Sequence, residues 1–235
     1  MKIYNLNCLD YLQSEQFVKD VMGGQPIIVT DPPFNIGYHY RTYKDRMKEQ
    51  EYLDFLKKVL TTNKIPYVVI HYPESLYKIA LFNGEAPSRV CSWVYNSNTA
   101  KQHRDVAFFG VNPNFKQVLQ PYKNPTDKRI MKRIAQGELG CKLYDWWNIN
   151  QVKNVSKSKT EHPCQMPVEV MKNIVGILPK NSVIIDPFMG SGTTGVACKE
   201  LGYEFIGCEI DTEYFNIAKE RLDGKDSASS YDETR

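Results

Sequence analysis

The stretch that decides the fold covers residues 182–194 and reads Ser-Val-Ile-Ile-Asp-Pro-Phe-Met-Gly-Ser-Gly-Thr-Thr. Its first residues form a short apolar run, which predicts a buried β-strand ending at Asp186. A turn with two glycines follows, and the pattern of residues 193–201 predicts a helix. Because glycine carries no side chain, such a strand–turn–helix unit lets the backbone approach a ligand closely.

A second acidic strand end lies far from the first in sequence. Asp31-Pro32-Pro33-Phe34 follows the apolar run of residues 26–30. Both stretches therefore place an aspartate at the carboxyl end of a strand, where open α/β sheets build their binding sites. Two such ends of different composition predict one sheet with a cofactor half and a substrate half.

The bulk properties of the chain narrow the class of protein. With 235 residues, of which 42% are hydrophobic, we expect one α/β domain with an insertion. The six cysteines are scattered without a Cys-x-x-Cys pair, so we expect no metal site. No apolar run approaches the roughly 20 residues of a membrane span. The first residues also lack a signal-peptide pattern, so we expect a cytoplasmic protein without a membrane partner.

The charge of the chain is unevenly distributed. The net charge is +3, but residues 98–160 hold twelve basic and four acidic residues, a local net charge of +8. A basic segment on an otherwise acidic body indicates a polyanionic partner, although a solvated charged face has the same composition. Candidate contacts to a polyanion lie here and in the tyrosine-rich loop after Phe34: Tyr38, Arg41, Lys101, Arg104, Lys123, Lys128, Arg129, Lys132 and Arg133.

The glycine turn has the pattern of a nucleoside-cofactor site. Glu209 closes the next predicted strand, 23 residues after Asp186, near the place where dinucleotide folds put an acid on the ribose hydroxyls. The turn lacks the third glycine of the dehydrogenase fingerprint and the Gly-Lys-Ser/Thr of a phosphate loop. A tight turn with a structural role alone is the alternative.

The Asp-Pro-Pro-Phe turn is rich in acceptors. Its two prolines remove two backbone donors and stiffen the turn, leaving the Asp31 carboxylate and the Pro32 carbonyl as acceptors for an amine. Phe34 offers an aromatic face for a flat ring. A rigid corner without function is the alternative.

These motifs resemble those of the DNA amino-methyltransferases, which methylate exocyclic amines of bases with S-adenosylmethionine. The turn at 31–34 resembles the catalytic motif of the adenine-N6 branch, and residues 186–194 resemble the cofactor motif. Residues 5–9 resemble an Asn-Gly-Asp-Cys-Leu element, and residues 162–167 resemble a His-Pro-x-Gln-Lys-Pro element. The catalytic motif precedes the cofactor motif, which is the order of the permuted β class.

The resemblance implies the following assignments. The catalytic residues are Asp31, Pro32, Pro33 and Phe34. The cofactor-binding residues are Asn7, Cys8, His162, Pro163, Asp186, Phe188, Gly190, Ser191, Gly192, Thr193, Thr194 and Glu209. The cofactor is S-adenosylmethionine, the product is S-adenosylhomocysteine, and no metal takes part. The substrate is double-stranded DNA, from which an adenine is flipped into the site. A homodimer and a cognate restriction endonuclease on a separate chain are expected partners in a bacterial or phage-encoded system.

The fold class implied is α/β, a Rossmann-like doubly wound and mostly parallel sheet with permuted motif order and a small basic insert. We expect a catalytic half at 1–110, a target-recognition insert at 111–160, a cofactor half at 161–222 and a disordered tail at 223–235. Two departures concern the site, since Asn7 and Met166 stand where the family has Asp and Lys. Methylation of cytosine N4, of RNA or of a protein amide, and a non-catalytic nucleic-acid-binding module, remain the alternatives.

Overall fold

The computed structural model describes residues 1–152 and 164–224, where ten strands and eight α-helices form. The strands are β1 (Lys2–Asn5), β2 (Gln25–Thr30), β3 (Tyr67–His71), β4 (Arg89–Val94), β5 (His103–Phe109), β6 (Leu119–Gln120), β7 (Cys141–Lys142), β8 (Trp146–Asn148), β9 (Ser182–Asp186) and β10 (Glu204–Glu209). The helices are α1 (Cys8–Leu12), α2 (Glu15–Val21), α3 (Glu49–Thr61), α4 (Pro73–Asn83), α5 (Lys128–Ala135), α6 (Val168–Gly176), α7 (Thr193–Leu201) and α8 (Thr212–Asp223).

Eight of these strands form the central sheet, in the order β1-β10-β9-β2-β3-β5-β4-β8. The five strands from β1 to β3 in this order run parallel, whereas β5 is antiparallel to both β3 and β4. Every residue of β3 and of β9 is buried, as expected for apolar runs that are covered on both faces of a sheet. The predicted mostly parallel, doubly wound α/β fold is confirmed.

Helices cover both faces of the sheet and form two cores. On one face α6, α7 and α8 bury Met171, Ile174 and Ala218 against the sheet. On the other face α1, α3 and α4 do the same, with the α3 stripe of Tyr52, Leu56, Val59 and Leu60 at helical spacing. The site is built at the carboxyl edge of the sheet between these layers.

The crevice of the fold opens between β2 and β9. These two strands are parallel neighbours, with Ile28 opposite Ile185. From β2 the chain continues to β3 on one side, and from β9 it continues to β10 on the other side. Because the connections leave in opposite directions, they do not fill the space above the two strand ends. Asp31 and Asp186 lie at that point.

Two local features shape the sheet and its helices. Residues 8–21 form two helices, α1 and α2, because the Ser14 hydroxyl accepts the Phe17 amide and starts a new helix. The segment predicted as a small insert at 111–160 supplies β8, which pairs with β4 and extends the central sheet. The remainder of its described part holds the small β6–β7 sheet and α5, which has no buried residue.

The described residues end just after α8. Asp223 completes α8, so the described part of the predicted tail begins in a helix, and residues 225–235 lie outside the described residues. No helix in the described ranges has the length and hydropathy to cross a bilayer.

Candidate active site

The two acidic strand ends meet in one cavity of about 470 Å³. Its lining includes the whole Asp-Pro-Pro-Phe turn and residues 186–191 of the glycine turn. Thr30, the last residue of β2, donates its hydroxyl to Asp186 Oδ1 at 3.2 Å and ties the two strand ends together. A cavity of this size is typical of a site for a small-molecule ligand or cofactor.

The Asp31 carboxylate is an acceptor that lines this cavity. Oδ1 is buried and has no hydrogen-bond partner among the described residues, whereas Oδ2 lies 3.5 Å from Nη1 of Arg104. Burial raises the pKa of Asp31 to about 6, and the Arg104 guanidinium opposes that rise. The group is therefore mostly ionised at neutral pH, and an ionised carboxylate accepts hydrogen bonds from a ligand donor.

A chain of hydrogen bonds links the Asp-Pro-Pro-Phe turn to His71 at the end of β3. The Tyr72 amide donates to Nδ1 of His71 at 2.8 Å, so the His71 proton resides on Nε2. Nε2 lies 2.9 Å from the Tyr52 hydroxyl, which donates in turn to the Pro33 carbonyl at 2.7 Å. Burial lowers the pKa of His71 to about 3, and the charges of Arg104 and Lys101 add to this effect. A neutral histidine thus supports the Asp-Pro-Pro-Phe turn through the Tyr52 hydroxyl.

Phe34 lies in the cavity with neighbours on its ring. The His71 ring stacks on it at 4.2 Å between centroids, and Cζ of Arg104 lies 4.6 Å from its centroid. The ring therefore contacts both an imidazole and a guanidinium, and stacking of Phe34 on a flat ring of a ligand stays a prediction.

Asp186 supports the glycine turn. Its Oδ1 accepts the Phe188 amide at 3.1 Å, and its Oδ2 accepts the Thr194 hydroxyl at 2.5 Å. Burial raises its pKa to about 6. At Gly192, φ is +77°, and a Cβ would lie 3.0 Å from Cβ of Ala218. Glycine is therefore needed here both for the backbone conformation and for the approach of α8.

Glu209 faces the same cavity at the end of β10. Its two oxygens accept the Gly190 amide at 3.0 Å and the Asp211 amide at 2.8 Å. Burial raises the pKa of this carboxyl. Each carboxylate oxygen has a further lone pair, so the group can still accept from ligand hydroxyls. The ribose contact stays a prediction.

The other predicted cofactor residues are distributed as follows. Asn7 and Cys8 line the cavity at the start of α1, where the Asn7 side chain accepts the Leu9 amide at 2.9 Å. Asn7 thus performs the helix cap that an aspartate would also perform. Ser191 and Thr193 line the cavity and accept from Arg221 through their hydroxyls. His162 and Pro163 lie outside the described residues.

The tyrosine-rich loop after Phe34 is ordered by a buried aspartate. Asp45, 2% exposed, accepts the backbone amides of Asn35, Ile36 and Tyr38. Arg41 forms an ion pair with Glu213 of α8, and its Cζ lies 5.9 Å from the Tyr214 ring centroid. The loop therefore spans from β2 to α8 across the cavity, which Tyr38 and two further loop tyrosines line.

The predicted polyanion contacts separate into two groups. Most are exposed, including Lys128, Arg129, Lys132 and Arg133 of α5, as well as Lys101 and Lys123. Arg104 differs from these residues, because its side chain is 15% exposed and lies beside Asp31. Its contact to DNA stays a prediction.

Sequence reasoning missed Tyr52, His71 and Asp45. The sequence did indicate His71, because this residue is the last of a buried strand. Asp186 likewise ends a strand, and Asp31 directly follows one. Tyr52 resembles any other buried position of an amphipathic helix, and Asp45 resembles any other polar loop residue. Their partners are backbone groups that only the folded chain brings close.

Comparisons with known proteins find one family model and several relatives that are similar to this chain. The family model described as DNA methylase matches residues 68–220. Type II methyltransferase M.HpaI of Haemophilus parainfluenzae is 28% identical over 221 residues, covering 85% of this chain and 68% of that protein. Type II methyltransferase M.BglII of Bacillus subtilis is 28% identical over 232 residues, covering 85% and 64%. DNA adenine methyltransferase YhdJ of Escherichia coli is 23% identical over 231 residues, covering 84% and 76%.

A solved structure is similar over nearly its whole length. The crystal structure of the M1.HpyAVI-SAM complex has a TM-score of 0.57 and 25% identity, covering 94% of this chain and 99% of that one. This chain spans about two thirds of the length of M.HpaI and M.BglII.

Proposed function

The chain belongs to the DNA methylase family, and on that premise we propose that it transfers a methyl group from S-adenosylmethionine to the N6 amine of adenine in double-stranded DNA. The observation that carries the proposal is the Asp31 carboxylate, which lines the same cavity as the glycine turn. YhdJ is described as a DNA adenine methyltransferase and the M1.HpyAVI structure as a complex with SAM, which supports adenine as the substrate and S-adenosylmethionine as the cofactor.

Asp31 and Pro32 act on the accepting amine. The N6 lone pair is delocalised into the adenine ring, so the amine is a poor nucleophile. The Asp31 carboxylate and the Pro32 carbonyl accept its two hydrogens and localise the lone pair on nitrogen. The nitrogen then forms a bond to the methyl carbon while the carbon–sulfur bond breaks, and that electron pair stays on sulfur. The surplus proton of the amine passes to Asp31 and from there to water.

The glycine turn and Glu209 hold the methyl donor. S-adenosylmethionine supplies, when bound, a methyl group activated by a positive sulfur. The residues present fit this group, because the turn at 187–192 brings backbone to the cavity and Glu209 offers acceptors for two ribose hydroxyls. Asp186 supports the turn, since Thr30 and Phe188 donate to its Oδ1 and Thr194 donates to its Oδ2.

The target base has to leave the duplex to reach Asp31. Phe34 lies beside Asp31 in the cavity and receives the flipped ring. The exposed cations of α5 and Lys123 contact DNA phosphates, and the segment 111–160 reads the target sequence. A homodimer and a separate restriction endonuclease are further expectations for this system.

A nucleoside analysis tests the function. DNA from a methylation-free host that expresses the chain is digested and analysed by mass spectrometry. We expect N6-methyladenine, and N4-methylcytosine in its place would overturn the assignment of the base. With purified protein, Asp31→Ala should abolish incorporation of labelled methyl groups while calorimetry still detects cofactor binding. Val18→Ala, at an exposed position of α2, is the matched control and should behave as wild type.

A further inference from the structure

Arg104 enters the cavity from β5. Residue 105 pairs with His71 at the end of β3, so Arg104 lies at the same carboxyl edge as Asp31. Its guanidinium contacts Phe34 and Trp93, with Cζ 4.6 Å and 5.3 Å from the ring centroids. Nη1 also donates to Sδ of Met166 at 3.5 Å. These apolar and aromatic neighbours keep the cation in place and largely out of solvent.

The two oxygens of Asp31 have different surroundings. Oδ2 faces Nη1 of Arg104 at 3.5 Å, whereas Oδ1 is buried without a partner in the part of the chain that the structure describes. A buried carboxylate without a cation nearby takes up a proton, because burial disfavours the charged form. A protonated carboxyl group carries a donor where the amine needs an acceptor. The cation beside Asp31 therefore decides whether the group can accept.

We propose that Arg104 is a positioning residue of the methyl transfer, whose charge beside Oδ2 holds Asp31 in its ionised form, so that the carboxylate can accept from the target amine. The proposal rests on the proposed function, and it removes Arg104 from the group of DNA phosphate contacts. Met166 fits this role. Its thioether accepts from the guanidinium, whereas a lysine at this position would place a second cation against Arg104.

Other titratable groups also interact electrostatically with Asp31. They are Tyr40 in the loop, Tyr52 on α3, Tyr95 after β4, Cys164 before α6 and Asp186 on β9. Burial raises the pKa of each of these tyrosines and of Cys164, so they stay neutral near pH 7. Asp186 has a pKa raised to about 6 and, when ionised, disfavours ionisation of Asp31. The charge of Arg104 favours the ionised form of Asp31, and replacement of Arg104 with glutamine removes this effect.

The test compares Arg104→Gln, Arg104→Lys and the control Arg89→Gln in single-turnover methyl transfer across pH. Arg89 lies on the neighbouring strand β4, where its guanidinium is next to Phe115. We expect the acidic limb of the Arg104→Gln profile to move to higher pH by about one to three units, the usual effect of an adjacent arginine on an aspartate. Arg104→Lys, which keeps the charge, and Arg89→Gln should stay within about half a unit of wild type.

A second readout separates this inference from the proposed function. The Asp31 carboxyl is titrated by ¹³C NMR in wild type and variants, with its signal assigned by Asp31→Asn. Absence of methyl transfer to DNA by wild type would overturn the function, and the NMR titration would still test the Arg104 coupling. An unchanged Asp31 pKa and acidic limb in Arg104→Gln would overturn the inference. If Arg104→Gln does not fold, the test rests on Arg104→Lys, which keeps the positive charge. A shift of its acidic limb by more than about one pH unit from wild type would then contradict a role of the charge.

Discussion

Replacement of Tyr52 with phenylalanine removes the oxygen atom that links the Asp-Pro-Pro-Phe turn to His71. In the wild-type protein this oxygen donates to the Pro33 carbonyl at 2.7 Å and lies 2.9 Å from Nε2 of His71. His71 is fully buried, so its Nε2–H is left without a partner in the variant, at a cost of about 1–3 kcal/mol. Loss of the bond to the half-buried Pro33 carbonyl adds about 0.5–1.5 kcal/mol.

The expected total is about 2–4 kcal/mol of the free energy of unfolding. For a domain of this size each kcal/mol lowers the melting temperature by about 2–4 °C, so the Tm should fall by about 4–16 °C. The maximal rate of methyl transfer should also fall, by up to about a hundredfold, because the turn carrying Asp31 and Pro32 loses its support. Cofactor affinity should change little, since the glycine turn lies on the other side of the crevice.

Calorimetric unfolding and single-turnover kinetics measure both effects. Tyr77→Phe is the matched control, because this tyrosine of α4 is 74% exposed and its hydroxyl lies in solvent. A Tm of Tyr52→Phe within about 2 °C of wild type, which corresponds to less than about 1 kcal/mol, would refute the stabilising role of the hydrogen-bond chain. An unchanged rate of methyl transfer would refute its role in catalysis.

Three further predictions concern the cofactor half and the DNA surface. Glu209→Ala should weaken S-adenosylmethionine binding by about ten- to a hundredfold, the value of a hydrogen bond to a charged group; unchanged affinity in calorimetry would contradict the ribose contact. Gly192→Ala should lower the free energy of unfolding by about 1–3 kcal/mol, because φ is +77° and α8 lies close; urea unfolding with an unchanged midpoint would contradict this. Lys132→Gln should weaken DNA binding and reduce its salt slope by about 1; a slope equal to that of wild type would remove this residue from the phosphate contacts.

The structure also changes the interpretation of the loop after Phe34. The sequence predicted only candidate polyanion contacts in it, but Asp45 holds one end of the loop by accepting three of its backbone amides. At the other end Arg41 engages Glu213 and Tyr214 of α8. The predicted DNA contact of Arg41 therefore competes with an ion pair inside the protein.

Much of the fold was accessible from local sequence patterns. The helix predicted for 193–201 has those bounds in the structure, and the strands β9 and β10 end at Asp186 and Glu209 as predicted. These elements have strong periodicity, and periodicity depends on neighbours along the chain. The short strand β8 was missed because three residues carry no period, and its strand character depends on pairing with β4.

The same distinction applies to the site. The sequence by itself determined the two motifs, their order and the meeting of Asp31 and Asp186 at one edge, because parallel strands align their carboxyl ends. Only the tertiary structure decided which groups face Asp31. Arg104 counted as one more cation of a basic segment until β5, antiparallel to β3, brought it beside the carboxylate. Charge is a property of composition, but its effect on a pKa depends on distance and burial, and these exist only in the folded chain.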